Sequence, residues 1–393
     1  MHGMKLIINA KVPIILALIV LVSNPVWFLW NIRFVIVLLL ILLLVLFLLP
    51  RLHSKSAVDS MGKNIPIVFL FAAYFLGIST LVGGFQTYLL TSAFILLIYP
   101  VITKQERLEA LKIITNCLAI IILISGIPWL VNTFIFKLPM WGGTIKYYES
   151  KGMENVIENY ILFIQVQHDF LVRFYSIFDE PGTLGTLCAF VLYGNRYNFK
   201  NRANLVILIG AIFTFSLAFY LLVILGLFIQ NLRNVKKLLF AVIGLIIVGS
   251  TVLYLLADNE TFQTAILGRF SDIEGSIENR ELATLDVYYN RFLSTPEGIY
   301  GAGRNFLLSN PSLFKGQTYK FFVIEFGIIG SLILLITYLS LIRKFNIIQV
   351  GFLLIFILSF LQRPFASQTW QLLLFILIIE ALNVNFLRKR RVS

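Results

Sequence analysis

The chain has 393 residues, of which 59% are hydrophobic and 13% are charged, and its formal net charge is +13. Soluble globular proteins carry about 25% charged residues, so this composition excludes an ordinary soluble protein and predicts an all-α, polytopic membrane protein. The positive charge lies in short loops between apolar segments, which is typical of membrane topology rather than of nucleic-acid binding.

Apolar segments follow one another along most of the chain, and a run of about 18 such residues can cross a bilayer as a helix. In chain order they lie near 12–30, 34–50, 65–82, 85–102, 112–135, 180–194, 204–230, 237–257, 318–342, 345–362 and 368–387. The basic N-terminus lacks the small-residue cleavage site of a signal peptide, so we expect a retained first helix. We expect one membrane domain over 1–393.

Two long polar stretches, 136–173 and 258–317, interrupt this series and hold most of the carboxylates. The short loops are basic instead, as in Arg388–Arg391 at the C-terminal end. Short basic loops face the cytoplasm in membrane proteins. The sequence therefore predicts that the two long stretches are loops on the opposite, outer side.

The apolar run 204–230 has basic residues on both sides, at Arg196–Arg202 and Arg233–Lys237. A single crossing would place one basic flank outside, so we expect the run to enter and return with a break near Thr214-Phe-Ser216. Irregular backbone survives at membrane depth only where protein or a wet cavity satisfies it. Counting this run twice predicts about twelve membrane segments with both termini in the cytoplasm.

Metal and cofactor motifs are not apparent in the sequence. Cys117 and Cys188 lie in apolar segments without paired spacing and are expected to be packing residues. No glycine-rich phosphate loop precedes a helix, and the cytoplasmic loops are too short to fold a nucleotide-binding domain. We expect neither a metal ion nor a cofactor.

The first candidate site is the stretch from Arg173 to Leu184, which contains Asp179-Glu180-Pro181-Gly182 just before an apolar segment. Ionisable groups at a membrane boundary are expensive and usually mark a site. In a helix, Arg173 and Glu180 would be about two turns apart on neighbouring faces. The alternative is that the acidic pair is a polar helix start with Pro181 in the first turn. His168 lies five residues before Arg173.

The second candidate site lies in the 258–317 loop, where Arg269, Arg280 and Arg291 are spaced 11 residues apart. Eleven residues make about three helical turns, so Arg280 and Arg291 would share a face of a helix over 281–293. Guanidinium groups bind phosphate with two parallel hydrogen bonds. The alternative is that these arginines pair with nearby acids, Asp286 among them, on a solvated face.

The order of these motifs resembles that of the bacterial O-antigen polymerase and ligase superfamily. An Arg and a Glu-Pro pair, Arg173 and Glu180-Pro181, come first. Then come Arg280, the 281–293 helix, Pro296, Gly301-Ala-Gly303 and the span motif Glu325-Phe-Gly327-Ile-Ile-Gly330. The matching region covers about 170 residues. Ligases carry His-Asn where this chain has Gly316 and Gln317, so the resemblance favours a polymerase.

This resemblance implies an integral glycosyltransferase of GT-C type in the bacterial inner membrane, with loops 136–173 and 258–317 in the periplasm. Its substrate would be an undecaprenyl-pyrophosphate-linked oligosaccharide. A chain-length regulator and a flippase of the same pathway are possible partners. Two alternatives stay open: an O-antigen ligase, and a lipid-linked oligosaccharide flippase or other transporter.

On this hypothesis the site residues have distinct roles. Cations must meet the leaving pyrophosphate, and Arg173 and Arg280 are the first choices for that role, followed by Arg291 and Arg304. Glu180, beside Asp179, is the expected general base, with a pKa raised by burial. His168 is the rival base, and Tyr319 is a candidate sugar-binding aromatic residue. Glu325 would lie inside a span, where a helix-packing hydrogen bond is the simpler role.

Overall fold

The computed structural model describes residues 10–81, 86–141, 144–147, 155–166, 172–232, 283–310, 318–342 and 344–390. These residues form fourteen α-helices and one small sheet. The helices before the sheet are α1 (Lys11–Ser23), α2 (Arg33–Leu52), α3 (Lys55–Leu81), α4 (Thr87–Ile98) and α5 (Lys104–Phe134). Those after it are α6 (Pro181–Gly194), α7 (Arg202–Ile212), α8 (Leu217–Asn231), α9 (Ala283–Phe292), α10 (Pro296–Tyr300), α11 (Gly303–Ser309), α12 (Tyr319–Leu341), α13 (Ile347–Gln362) and α14 (Thr369–Arg390).

Among the described helices, four are long and apolar enough to cross a membrane: α2, α3, α5 and α12. In the most apolar stretches of α2 and α3, only 22% and 11% of the residues are buried inside the protein. Apolar side chains that face away from the bundle in this way indicate a membrane-associated helical protein. The segment 237–257 lies outside the described residues, so the count of twelve membrane segments stays a prediction.

The centre of the bundle is formed by α6 and the first part of α14. All fourteen residues of α6 are buried, and so is every residue of α14 from Thr369 to Asn383. A helix that is apolar on every side belongs in the interior. With about 1.5 Å of rise per residue, α6 is roughly 21 Å long, about 9 Å less than a bilayer core. α6 is therefore a fully buried helix that is too short to cross a bilayer core by itself.

Two polar ends of the bundle can be distinguished. At the first, here called the basic end, Arg51 pairs with Glu106 (2.6 Å) and Arg107 pairs with Glu380 (2.9 Å). At the opposite end, here called the site end, residues 24–33, 86–92, 172–183 and 363–369 meet. The predicted topology places the basic end in the cytoplasm and the site end outside.

The predicted break in the run 204–230 is confirmed. α7 ends at Ile212 and α8 begins at Leu217. Between them Phe215 adopts a left-handed φ of 47°, and Thr214 and Ser216 are buried. Ser216 restarts the helix, because its hydroxyl accepts the N–H of Phe219 at 3.4 Å.

An antiparallel three-stranded sheet was not anticipated, and the all-α prediction is wrong on this point. Its strands are β1 (Thr144–Tyr147), β2 (Asn155–Asn159) and β3 (Ile164–Val166), in the order β1-β2-β3. Strands of three to five residues inside a polar loop leave only a short alternating pattern in the sequence. Ile157 of β2 and Ile164 of β3 cluster with Tyr175, so the sheet covers the chain before α6.

Candidate functional site

The chain between residues 172 and 180 is not helical, which corrects the spacing argument for Arg173 and Glu180. It contains a turn with Ser176 at a left-handed φ of 55°. Ser176 is fully buried, its carbonyl accepts the N–H of Ile164 at 3.2 Å, and its hydroxyl lies 2.7 Å from that of Ser125. Contacts with β3 and α5 thus replace the helix that the seven-residue spacing predicted.

Arg173 lies against the break between α7 and α8. Its Nε donates a hydrogen bond to the Thr214 carbonyl at 3.0 Å, and the N–H of Phe174 donates to the Phe213 carbonyl at 2.9 Å. Carbonyl groups at a broken helix have lost their helical partners and need others. Arg173 therefore stabilises the break as well as being a candidate phosphate ligand.

Asp179 fastens the same chain to the connection between α1 and α2. Its N–H donates to the Pro25 carbonyl at 3.0 Å, and the N–H of Trp27 donates to the Ile177 carbonyl at 3.1 Å. Val26 and Phe178 form an isolated antiparallel bridge between these two hydrogen bonds. The backbone of Asp179 thus positions the residue that follows it, Glu180.

Glu180 forms a two-point ion pair with Arg363. Nη1 and Nη2 of Arg363 donate to the two carboxylate oxygens of Glu180, with an Nη2···Oε1 distance of 2.5 Å, and Nη1 also lies 3.3 Å from the Thr183 hydroxyl. The Glu180 side chain is 46% exposed, whereas that of Arg363 is 8% exposed. The guanidinium therefore lies on the buried side of the pair, and the carboxylate lies on the exposed side.

This pair explains the local sequence. Pro181 is the first residue of α6, as expected for a helix start, but the Glu180 side chain makes no capping hydrogen bond. A Cβ atom on Gly182 would overlap the guanidinium of Arg363, so a larger residue here would require Arg363 to move away from its present position. On the other side, Pro364 ends α13 and directs Arg363 into the bundle. The expected burial of Glu180 is not observed, because its carboxylate is half-exposed.

A second polar cluster lies at the bend of α12. Gln86 donates its amide N–H to Glu325, and Arg304 lies 3.9 Å from the other carboxylate oxygen of Glu325. Glu325 is buried, while the Arg304 side chain remains 45% exposed. Glu325 thus makes the interhelical hydrogen bond expected of it and also contacts the 258–317 loop.

The glycines of the second motif form a contact between two backbones. α12 bends at Gly327, whose φ is 67°, and the turn before α11 has Gly301 at φ 94°. The N–H of Ala302 donates to the Ile324 carbonyl at 2.7 Å. A Cβ on Gly301 would lie 2.3 Å from the Glu325 carbonyl oxygen, and a Cβ on Gly327 would lie 2.2 Å from that of Ile299. The motif therefore attaches the loop directly to the bend.

The predicted loop helix is observed over the described residues as α9, Ala283–Phe292. Its Asp286 pairs with Lys320 at 2.5 Å rather than with an arginine. Arg291 is exposed, and no described carboxylate pairs with it. Asp286 is thus engaged by Lys320, while the other nearby acids lie outside the described residues, so the solvated-face alternative for the loop arginines stays open. Arg280 and His168 lie outside the described residues, so their roles stay predictions.

The outer aromatic residues divide into packed and open ones. Tyr160 stacks on Phe163, with 4.6 Å between the ring centroids. Its hydroxyl donates a hydrogen bond to Oε2 of Glu158 at 2.7 Å. Burial and this hydrogen bond raise the pKa of Tyr160 to about 12. Tyr319 packs edge-on against Tyr289, with 6.1 Å between the ring centroids. Trp141, in contrast, is 67% exposed. Trp141 is thus the most accessible of these aromatic side chains.

Sequence reasoning missed Arg363. The residue lies in a short turn between α13 and α14 that the predicted topology places outside. Basic residues in short loops usually lie on the cytoplasmic side, so an arginine in an outer turn is unusual. This unusual position is the sequence feature that could have marked Arg363 as a candidate site residue. Among the described residues, no group of three metal-ligating side chains is present. No protein-family model matches the sequence, and no characterised protein matches it at a significant level.

Proposed function

We propose that this chain is an oligosaccharide repeat-unit polymerase of O-antigen type in the bacterial inner membrane. It would transfer a growing glycan from undecaprenyl pyrophosphate to the next lipid-linked repeat unit at the periplasmic face. The observation that carries the proposal is the Glu180–Arg363 pair at the site end, in which a half-exposed carboxylate is held by a buried cation. The proposal also rests on the resemblance of the motif order to that of the O-antigen polymerase and ligase superfamily. In these motifs, Gly301 and Gly327 allow the backbone of the 258–317 loop to contact the backbone of α12.

The site end suits a lipid-linked substrate if the predicted topology holds. That topology puts residues 172–180 on the outer side, where the pyrophosphate of such a substrate would lie. The exposed arginines of the 258–317 loop, Arg291 and Arg304, are the cations proposed to meet such an anion. Fixed cations of this kind stabilise the charge that builds up on the leaving pyrophosphate.

Glu180 supplies the general base in this proposal. The carboxylate that Arg363 holds is half-exposed, so it can accept a hydrogen bond from the hydroxyl of the acceptor sugar. As that hydroxyl attacks the anomeric carbon, its proton passes to the carboxylate. The bond to the pyrophosphate oxygen breaks at the same carbon, and the arginines take up the released negative charge. Arg363 is a positioning residue, because it acts through Glu180.

The first test is genetic. The encoding gene is deleted in its own bacterium, and the surface polysaccharide is separated on a gel. A polymerase predicts molecules capped with a single repeat unit in place of the ladder. Free lipid A-core would instead indicate a ligase, absence of any translocated repeat unit would indicate a flippase, and an unchanged ladder would refute all three.

The second test is chemical and uses purified lipid-linked repeat units in vitro. Glu180→Gln keeps the shape and removes the basicity, so we expect the donor to bind while transfer stops. His168→Ala is the matched comparison. If transfer is lost only in the histidine variant, the base is His168, and activity in both variants would contradict the proposed mechanism.

A further inference from the structure

A cavity of about 190 Å³ opens at the site end, between the N-terminal ends of α2, α4 and α14. The lining residues with charged, polar or aromatic side chains include Trp30, Arg33, Thr87, Tyr88, Gln368 and Thr369. The cavity is several times larger than the roughly 10–15 Å³ of cavity volume that one water molecule needs. Its size is on the scale of one monosaccharide unit rather than of a lipid chain.

Arg33 is placed where a cation is unfavourable. It is the first residue of α2, where the helix dipole disfavours positive charge. The predicted topology also puts it on the outer side, against the distribution of basic residues. Among the described residues no carboxylate pairs with it, and none lines the cavity. A half-buried arginine in this position is suited to an external anion.

The remaining walls provide the groups that recognise a sugar. Trp30 and Tyr88 provide aromatic rings, against which the C–H faces of sugar rings pack. The amide oxygen of Gln368 accepts the indole N–H of Trp370 at 3.0 Å, which leaves its amide nitrogen as a donor. Thr369 is held by Thr91, with 2.6 Å between the two hydroxyl oxygens, so this wall is fixed in place. Amide and hydroxyl groups are the usual partners of sugar hydroxyls.

The cavity lies between the two polar clusters described above. One wall, the connection from α1 to α2, is hydrogen-bonded to the chain just before Glu180. Another wall, at Gln368, belongs to the turn that carries Arg363. The third wall begins at Thr87, directly after Gln86, and Tyr88 lies within electrostatic range of Glu325 and Arg304. A ligand in the cavity would therefore contact the elements that hold both carboxylates.

We propose that this cavity binds an anionic monosaccharide unit, meaning a sugar that carries a carboxylate or a phosphate, with the anion on Arg33. The inference goes beyond the proposed function, because binding here does not require glycosyl transfer. The carboxylate would come from an acidic sugar of a glycan, and the phosphate from a sugar attached to a lipid phosphate.

Ligand binding by the full chain in nanodiscs tests the proposal, with glucuronate, glucose 1-phosphate and glucose titrated by saturation-transfer NMR. We expect at least one of the two anionic sugars to bind with a Kd of about 1 mM, and glucose to bind at least about tenfold more weakly. Binding of glucuronate alone would identify the acidic sugar as the source, and binding of glucose 1-phosphate alone the sugar phosphate. Equal binding of glucose, or no binding of any of the three, would overturn the proposal.

Two variants locate the site. Arg33→Gln should weaken binding of the anionic sugar by about tenfold or more, since hydrogen bonds to charged groups are worth that much. Arg202→Gln is the matched control, because Arg202 is also the first residue of a helix but lies exposed at the basic end. Unchanged binding by Arg33→Gln would overturn the assignment. If Arg33→Gln does not fold, Gln368→Ala takes its place, and it should weaken binding of the anionic sugar severalfold.

The outcome is independent of the polymerase tests. If the protein binds anionic sugars but does not polymerise repeat units, the sugar site is supported and the proposed function is refuted. If it polymerises repeat units but shows no binding dependent on Arg33, the reverse holds.

Discussion

The ion pair between Glu180 and Arg363 should respond asymmetrically to removal of its two partners. Arg363 has an 8% exposed side chain, so Glu180→Ala leaves a buried guanidinium whose remaining described partner is Thr183, 3.3 Å away. Removing one partner of a fully buried pair costs about 3–5 kcal/mol of unfolding free energy. We expect a smaller loss here, about 2–3 kcal/mol, because the Glu180 side of the pair is open to water and Thr183 remains.

The opposite change should be milder. Arg363→Met leaves the Glu180 carboxylate, which is 46% exposed and can be hydrated. The variant loses charge-assisted hydrogen bonds that water partly replaces, so its unfolding free energy should fall by about 1–2 kcal/mol. In the double variant no buried charge is left unpaired, so its unfolding free energy should lie above that of Glu180→Ala alone.

Equilibrium unfolding of the purified chain in mixed micelles, titrated with SDS, measures all three variants against the wild type. Arg202→Met serves as the control, because an exposed arginine at the basic end should change the unfolding free energy by less than about 0.5 kcal/mol. The reasoning is refuted if Arg363→Met is as destabilising as Glu180→Ala. It is also refuted if the two losses simply add in the double variant, since groups in contact should couple.

Three further outcomes are expected. A topology reporter fused after Lys237 should read cytoplasmic and one fused near Ser276 periplasmic, and the opposite signals would restore a single crossing for 204–230. Arg280→Lys should sharply reduce the polysaccharide ladder at unchanged protein level, because lysine lacks the two-point geometry; a full ladder with Arg280→Ala would assign this arginine to a solvated face. Gly301→Ala should lower the unfolding free energy by more than about 1 kcal/mol, because alanine disfavours its positive φ. Its control is Gly62→Ala, where a Cβ meets nothing within 4 Å, and equal stability of the two variants would contradict the backbone contact.

The sequence predicted those features that have a local cause. Basic flanks on both sides of 204–230 predicted a break in the run, and the break appears between Ile212 and Leu217. Pro181 predicted a helix start, and α9 is found inside the predicted range 281–293. Each of these depends on charge placement or backbone preference within a few residues, which a single sequence displays directly.

Features with a long-range cause were missed. The partner of Glu180 is 183 residues away in the chain, so no spacing pattern could connect it with Arg363. The turn at Ser176 exists because β3 and α5 supply its hydrogen-bond partners, and these override the helical spacing of Arg173 and Glu180. The sheet was hidden because its strands are shorter than the window in which alternation becomes informative.

The backbone contact between Gly301 and Gly327 has a consequence for how this sequence can diverge. What the contact demands is the absence of side-chain atoms at two points, not any particular chemistry around them. Neighbouring residues such as Ala302 and Phe326 contribute main-chain groups to the contact, in hydrogen bonds to Ile324 and Tyr74. The Ala302 side chain is only partly buried and can change, whereas the Phe326 ring is 1% exposed and packs against Phe75 and Phe322. Mutational tolerance measured across this region should therefore be lowest at Gly301 and Gly327, where a positive φ and a close backbone contact coincide.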